Sequence, residues 1–303
     1  MQQTFSILLV DDLPTNLYTL SQILSGTYDL RIATSGLDAL RIAEAQAPDL
    51  ILLDIMMPQM DGFETLLRLR HTEWGREIPV ILVTADDRME SQVKGLELGA
   101  EDFIAKPILA PVLKARVHNV LERLRLHREL VRLATTDELT GVMNRRQFYA
   151  RAESHWHLLQ RYPAPCGLLM VDLDKFKSIN DSYGHAVGDE VLKAFAAVIR
   201  QGLREHDLFG RVGGEEFALL LPQTGVQACV DVAERLRLAL AACAVQVDSG
   251  APLHFTASFG CTQLRGEDNC LDAAMSRADK ALYCAKTGGR NQTQLLLPED
   301  ASA

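Results

Sequence analysis

Arg211-Val212-Gly213-Gly214-Glu215-Glu216-Phe217-Ala218-Leu219-Leu220-Leu221 sets two glycines and two acids at the head of an apolar run. The run Glu216–Leu221 reads as a strand. The paired glycines suit a tight hairpin turn, where positive φ and close approach of a ligand are both allowed. Upstream, Gly167–Asp172 is a second strand-like run that ends in Val171-Asp172-Leu173-Asp174, so one or both aspartates stand at a strand end. Two carboxylates from neighbouring strands, Asp172 and Glu215, form the kind of pair that holds a metal ion against a triphosphate.

From Thr136 onward the pattern is mixed α+β. Further strands are expected at Phe255–Cys261 and Thr293–Leu297, and helices near 145–160, 187–201, 226–242 and 271–286. Between the two acidic strand ends runs Phe176-Lys177-Ser178-Ile179-Asn180-Asp181-Ser182-Tyr183-Gly184-His185-Ala186-Val187-Gly188-Asp189. Asn180 offers an amide, and Asp189 a carboxylate able to accept from guanine N1–H and the exocyclic amine. Near the end, Asp279–Lys286 leads into Gly288-Gly289-Arg290-Asn291. Lys286 and Arg290 bring positive charge there, which serves equally as a phosphate contact or as an ordinary helix C-cap.

These blocks, in this order, resemble the GGDEF family of diguanylate cyclases over about residues 135–297, with Asp137-Glu138-Leu139-Thr140-Gly141 and Asn144-Arg145-Arg146 matching the entry motif. The resemblance implies a nucleotidyl-cyclase or palm-like α+β fold that joins two GTP molecules into cyclic di-GMP and two pyrophosphates. It assigns Asp172, Glu215 and the Leu173 carbonyl to a metal ion, with Glu216 beside them. By it, Asn180 and Asp189 read guanine and Lys177, Lys286 and Arg290 hold phosphates, with Arg211 close enough to assist. Phe176, His185, Gly213 and Gly214 line the same site, and Glu215, Glu216, Asp172 and Lys177 form its catalytic set. Arg204-Glu205-His206-Asp207 falls in the register of the family's inhibitory site for the product, with Arg235 as a secondary contact. Each domain binds one GTP, so the reaction requires a homodimer or a larger assembly.

The first 120 or so residues alternate strand-like runs with amphipathic stretches. Strands are expected at Phe5–Val10, Leu30–Thr34, Leu50–Asp54, Val80–Thr84 and Phe103–Ala105, with helices near 15–25, 37–46, 63–70 and 90–98. Five such units predict a doubly wound parallel sheet with ligands at the carboxyl ends of its strands. Asp11, Asp12 and Asp54 would meet at that edge, a self-repelling cluster that a hard divalent cation resolves. Thr84 and Lys106 face the same edge and suit a phosphoryl group.

Val10-Asp11-Asp12, Leu53-Asp54-Ile55-Met56-Met57-Pro58 with Asp61-Gly62, Val83-Thr84-Ala85 and Ala105-Lys106-Pro107 together resemble the response-regulator receiver domain, a flavodoxin-like (βα)5 fold. The resemblance implies Asp54 as phosphoacceptor, charged by a histidine kinase or phosphotransfer protein. Asp11, Asp12 and the Met56 carbonyl would hold Mg²⁺, and Thr84 and Lys106 would contact the phosphoryl oxygens. Phe103 stands at the switch aromatic, where a core role serves as well. Both domains are thus expected to use Mg²⁺ or Mn²⁺.

The expected organisation is a receiver at 1–122, a helical linker at 111–135 continuing its last helix, the GGDEF domain at 136–297 and a tail at 298–303. Leu113, Val117, Val120, Leu124, His127, Val131 and Ala134 follow steps of four and three, a coiled-coil-like seam weakened at His127. Of the 303 residues 48% are hydrophobic and 23% charged, the profile of a soluble globular protein. A net charge of −9 disfavours generic binding to DNA or anionic membrane, and no basic output segment or helix-turn-helix is evident. With no membrane-span-length apolar run and no signal-like start, the cytoplasm is the expected address. The six cysteines, all in the second half without a C-x-x-C pair, read as reduced structural thiols.

Overall fold

The computed structural model describes residues 4–84, 89–247, 250 and 252–298. Ala85 of the Val83-Thr84-Ala85 motif, the first three residues and the tail after Pro298 lie outside the described residues. The chain divides into two compact units, Met1–Glu129 and Leu130–Ala303.

The first unit holds a parallel five-stranded sheet in the order β2-β1-β3-β4-β5. Its strands are β1 (Ser6–Val10), β2 (Asp29–Ala33), β3 (Leu50–Asp54), β4 (Val80–Thr84) and β5 (Asp102–Ala105). The helices α1 (Pro14–Leu24), α2 (Gly36–Ala45), α3 (Gly62–Arg70), α4 (Met89–Glu97) and α5 (Ala110–Thr135) alternate with them. Strand alternation sorts the core into two layers. Ile7, Leu9, Leu50 and Leu52 pack with Leu17 and Leu20 of α1 and Leu113 and Val117 of α5. Leu8, Val10, Ile51 and Leu53 face Ala39 of α2 and Leu66 of α3. Side-chain caps fix two helix starts: the Ser35 hydroxyl accepts from Asp38 N–H, and the Asp61 carboxylate from Glu64 N–H. Since β1 lies between β2 and β3, the winding direction reverses there, and Asp11 and Asp54 meet at that switch point.

The seam on α5 splits into two parts. Leu113, Val117 and Val120 are buried and Leu124 is half-buried, whereas His127, Val131 and Ala134 are exposed. Leu126, Leu130 and Leu133 are exposed beside them.

The second unit is built on a five-stranded sheet ordered β12-β11-β6-β8-β7. Its strands are β6 (Cys166–Leu173), β7 (Leu208–Arg211), β8 (Glu216–Pro222), β11 (Ala257–Gln263) and β12 (Thr293–Leu295). A two-stranded pair, β9 (Ala244–Val245) and β10 (Leu253–His254), stands apart from it. Central β6 is buried along all eight residues. Leu169 and Val171 face a core shared with α7 (Phe176–Tyr183), α8 (His185–Gln201) and α9 (Val226–Ala242). Leu168 and Met170 face α6 (Arg145–Arg161) and α10 (Leu271–Thr287). The α10 backbone packs so closely on β11 that a Cβ at Gly260 would overlap Leu282 N.

The expected strand at Phe255–Cys261 shifts to Ala257–Gln263, because Phe255, 3% exposed, supplies core burial ahead of the strand itself. Burial and β-pairing are separate signals that a single sequence merges. Among the described residues no helix is long and apolar enough to cross a membrane.

Candidate active site

Asp172 pairs directly with Glu216 across β6 and β8, and Glu215 sits at the turn just before that pair. Leu173 N–H donates to the Glu215 carbonyl at 3.4 Å, which binds the turn to the end of β6. Asp172 shares the face of Leu168 and Met170, the side covered by α10. From the last turn of α10, Lys286 Nζ comes within 2.7 Å of Asp172 Oδ2. Burial pushes the Asp172 carboxyl up to about 6, Glu215 and Glu216 add to the rise, and Lys286 opposes it.

The turn glycines are not held by backbone angle. Neither Gly213 nor Gly214 has positive φ, contrary to the sequence expectation. A Cβ at Gly213 would lie 2.5 Å from Glu216 Oε2, and nothing stands within 4 Å of a Cβ at Gly214. Arg211, expected close enough to assist at the phosphates, has its guanidinium engaged within the turn. Nη2 and Nε donate to the Gly214 carbonyl at 2.6 and 2.9 Å, and Nη1 reaches Asp137 at 3.1 Å. Arg211 therefore braces the turn. Burial works to raise the Asp137 pKa, but hydrogen bonds from Thr140 and the Arg211 charge outweigh it and hold it low.

The purine-reading candidates converge where α7 meets α8. A Cβ at Gly188 would overlap Asn180 Oδ1, so the missing side chain seats the Asn180 amide beside exposed Asp189. Phe176 is 8% exposed and packs in the core, leaving its ring little to offer a ligand. His185 and Lys177 are exposed, His185 as the first residue of α8. Arg290 follows α10 with φ of 67°, and its side chain is exposed. At the proposed inhibitory turn, Arg204 N–H donates to Asp207 Oδ2 at 2.8 Å. Arg235 donates to the Gly202 carbonyl at 2.7 Å, bringing the third residue to the same turn.

In the first unit, one oxygen from each of Asp11, Asp12 and Asp54 lies within 4.8 Å of the others. Lys106 Nζ bridges Asp11 Oδ2 at 2.9 Å and Asp54 Oδ1 at 2.7 Å. That Asp54 oxygen has no well-directed hydrogen bond, so charge alone meets it. Burial raises the Asp54 pKa, Lys106 lowers it, and Asp11 and Asp12 raise it further. For Lys106, burial alone would lower the pKa, but the Asp54 and Asp11 carboxylates beside it raise it overall. Thr84 is buried at the same edge, and Met56 is exposed beyond it. Phe103 is half-buried with the Arg116 guanidinium 5.4 Å from its ring centroid.

The receiver centre fits a hard divalent cation: its donors are converging carboxylate oxygens, and burial pushes Asp54 toward protonation. In the second unit Asp172 offers the same kind of donor, raised by burial and then by Glu215 and Glu216.

Residues 134–292 match the family model described as diguanylate cyclase, GGDEF domain. This chain belongs to the GGDEF family. Residues 7–118 match the response regulator receiver domain. The response regulator PleD of Caulobacter vibrioides is 35% identical over 259 residues, covering 83% of this chain and 57% of PleD. Diguanylate cyclase DgcM of Escherichia coli is 42% identical over 180 residues, covering 58% of this chain and 42% of DgcM. The chain thus spans about half the length of these curated relatives. The coiled coil and GGDEF domain of Caulobacter crescentus DgcB, solved in complex with c-di-GMP, superimposes with a TM-score of 0.55 at 31% identity. That match covers 60% of this chain and 98% of that one. Diguanylate cyclase SiaD of Pseudomonas aeruginosa, solved with its activator SiaC, gives 0.53 at 30% identity over 93% of this chain and 88% of SiaD.

Sequence reasoning missed the residues that hold the others in place. In the receiver, Asn16 Nδ2 donates to both Asp11 oxygens at 2.9 Å. In the GGDEF domain, Asp174 is buried and accepts from Thr256, Ser258 and Asn291. Asp174 stood out in the sequence only as the second aspartate at the end of β6, with nothing to mark its partners.

Proposed function

We propose that this chain condenses two GTP molecules into cyclic di-GMP, releasing two pyrophosphates, and that phosphorylation of Asp54 controls the rate. The observation that carries the reading is the backbone bond that ties the Glu215 turn to the end of β6, where Asp172 pairs with Lys286. In this reading Asn180 and Asp189 hold guanine by its donor edge, while Lys177, Lys286 and Arg290 neutralise the triphosphate. Asp172, Glu215 and the Leu173 carbonyl would hold Mg²⁺ or Mn²⁺, with Glu216 beside them. Bound there, the cation stabilises charge at the α-phosphate and eases deprotonation of the attacking hydroxyl. Asp172 must be ionised for this, which near-neutral pH provides.

The 3′-hydroxyl of each nucleotide attacks the α-phosphate of the other, so two GGDEF domains must face one another. The exposed apolar residues Leu126, Leu130, Val131 and Leu133 on α5 favour pairing in a homodimer or a larger assembly. A histidine kinase or phosphotransfer protein would supply the phosphoryl group, with Asp11, Asp12 and the Met56 carbonyl holding Mg²⁺ beside Asp54. Thr84 and Lys106 would then meet the phosphoryl oxygens. Cyclic di-GMP returning to Arg204, Asp207 and Arg235 would restrain the enzyme. The cytoplasm supplies both GTP and the phosphodonor. Incubation of the intact protein with GTP and Mg²⁺, followed by chromatography of the nucleotides, tests the reading. Absence of cyclic di-GMP, with and without beryllofluoride, overturns it.

A further inference from the structure

Asp174 lies two residues beyond Asp172 and faces the sheet interior at 7% exposure. Its carboxylate is fully engaged: Ser258 Oγ donates to Oδ1 at 2.6 Å, while Thr256 Oγ1 and Asn291 N–H donate to Oδ2 at 2.7 and 2.9 Å. Two of these donors stand at the start of β11. The third belongs to the loop after α10, which carries Arg290.

That loop has an unusual backbone. Gly289, Arg290 and Asn291 have φ of 123°, 67° and 43° in succession. For the two non-glycine residues such angles are strained and persist only where surrounding contacts over-determine them. Three contacts do so here. Arg290 N–H donates to the Ala285 carbonyl at 3.0 Å, and Asn291 N–H to Asp174. On the other side, Arg237 Nη1 of α9 donates to Asn291 Oδ1 at 3.0 Å. Among the described residues no hydrogen bond or ion pair holds the exposed Arg290 guanidinium, so the loop backbone sets where the side chain leaves the chain.

We propose that Asp174 is a positioning residue for the triphosphate: by fixing Asn291 N–H it holds the strained loop that aims Arg290 at the phosphates. This deepens the proposed function and rests on it. The two aspartates of Val171-Asp172-Leu173-Asp174 thereby divide their work. Asp172 meets metal, and Asp174 anchors a cation 116 positions further along the chain. Alanine in its place removes every acceptor, whereas an asparagine could still turn its oxygen to the Asn291 N–H and its amide to the Ser258 hydroxyl.

The test is a double-mutant cycle on the intact protein with a GTP analogue carrying a non-hydrolysable α,β bridge, with Mg²⁺, by calorimetry. D174A and R290A should each weaken binding about tenfold, and the double variant no more than either alone, because both remove one interaction. In turnover, the loss should appear in KM for GTP with a smaller change in kcat. A role confined to stability lowers the melting temperature without that non-additivity. Unchanged affinity in D174A, or multiplicative losses in the double variant, overturns the proposal. If D174A does not fold, T256V takes its place: a two- to fivefold loss, again absent in the R290A background, is expected for removing one donor. Unchanged affinity in T256V overturns it equally. Failure of the wild-type protein to bind the analogue would count against the proposed function itself.

Discussion

In the receiver, three carboxylates and a lysine stand assembled before any ligand arrives; in the GGDEF domain, only Asp172 and Lys286 are in direct contact. Asp11, Asp12 and Asp54 converge within 4.8 Å, and both oxygens of Asp11 are tied down by Asn16. Glu215 and Glu216 are half-buried at an open turn, coupled to Asp172 by repulsion. The difference follows from the strands. Parallel β1 and β3 end side by side and deliver their aspartates to one point. An antiparallel hairpin instead presents its acids from a turn, with an open approach at Gly214. The first arrangement suits a small phosphoryl group and one metal ion. The second leaves a gap that the phosphates of a nucleotide would complete.

The largest expected effect comes from breaking the half-built side. Glu215→Ala should lower cyclic di-GMP formation by about 10²–10³-fold, with the melting temperature nearly unchanged, since the side chain stands at a surface turn. An active variant would show that the turn acids are not part of the centre. Next, beryllofluoride should raise wild-type activity by about five- to a hundredfold, the ordinary range of coupling between sites, and leave Asp54→Ala unmoved. Equal responses in the two proteins would detach the receiver pocket from control.

Titration separates the centres more finely. The folded protein holds the Asp172 proton more tightly than the unfolded chain, since its pKa rises from 3.8 to about 6. This group's contribution to stability therefore falls as pH climbs from about 4 to 6, and levels off above 7 at a cost of about 3 kcal/mol. In chelator, the stability of Asp172→Asn relative to wild type should improve between pH 5 and 7, as followed by calorimetry. A flat difference would mean that Asp172 is not frustrated. The smallest effects belong to the braces. Asn16→Ala and Arg211→Ala should each cost about 1–2 kcal/mol, lowering the melting temperature of the affected unit by a few degrees.

The receiver was largely legible in the sequence because each strand is one apolar run and each helix one amphipathic stretch. Expected and observed bounds there differ by one residue or so. The GGDEF domain was less so. β7 has only four residues, and α7 opens at Lys175 with φ of 55°, so neither offers a sustained period. Asp172 and Glu215 could be found because strand ends and turns mark themselves locally. The Arg211 brace and the Asp174 anchor could not, since their partners lie 74 and 117 residues away. Long-range hydrogen bonds leave no periodic trace in a single chain.

Lys106 and Lys286 already occupy the carboxylates that a metal ion would claim. If either centre takes a divalent cation, that ion would enter a place kept by a tethered monovalent one. Its hold would then be set as much by how far the lysine must retreat as by the oxygens themselves.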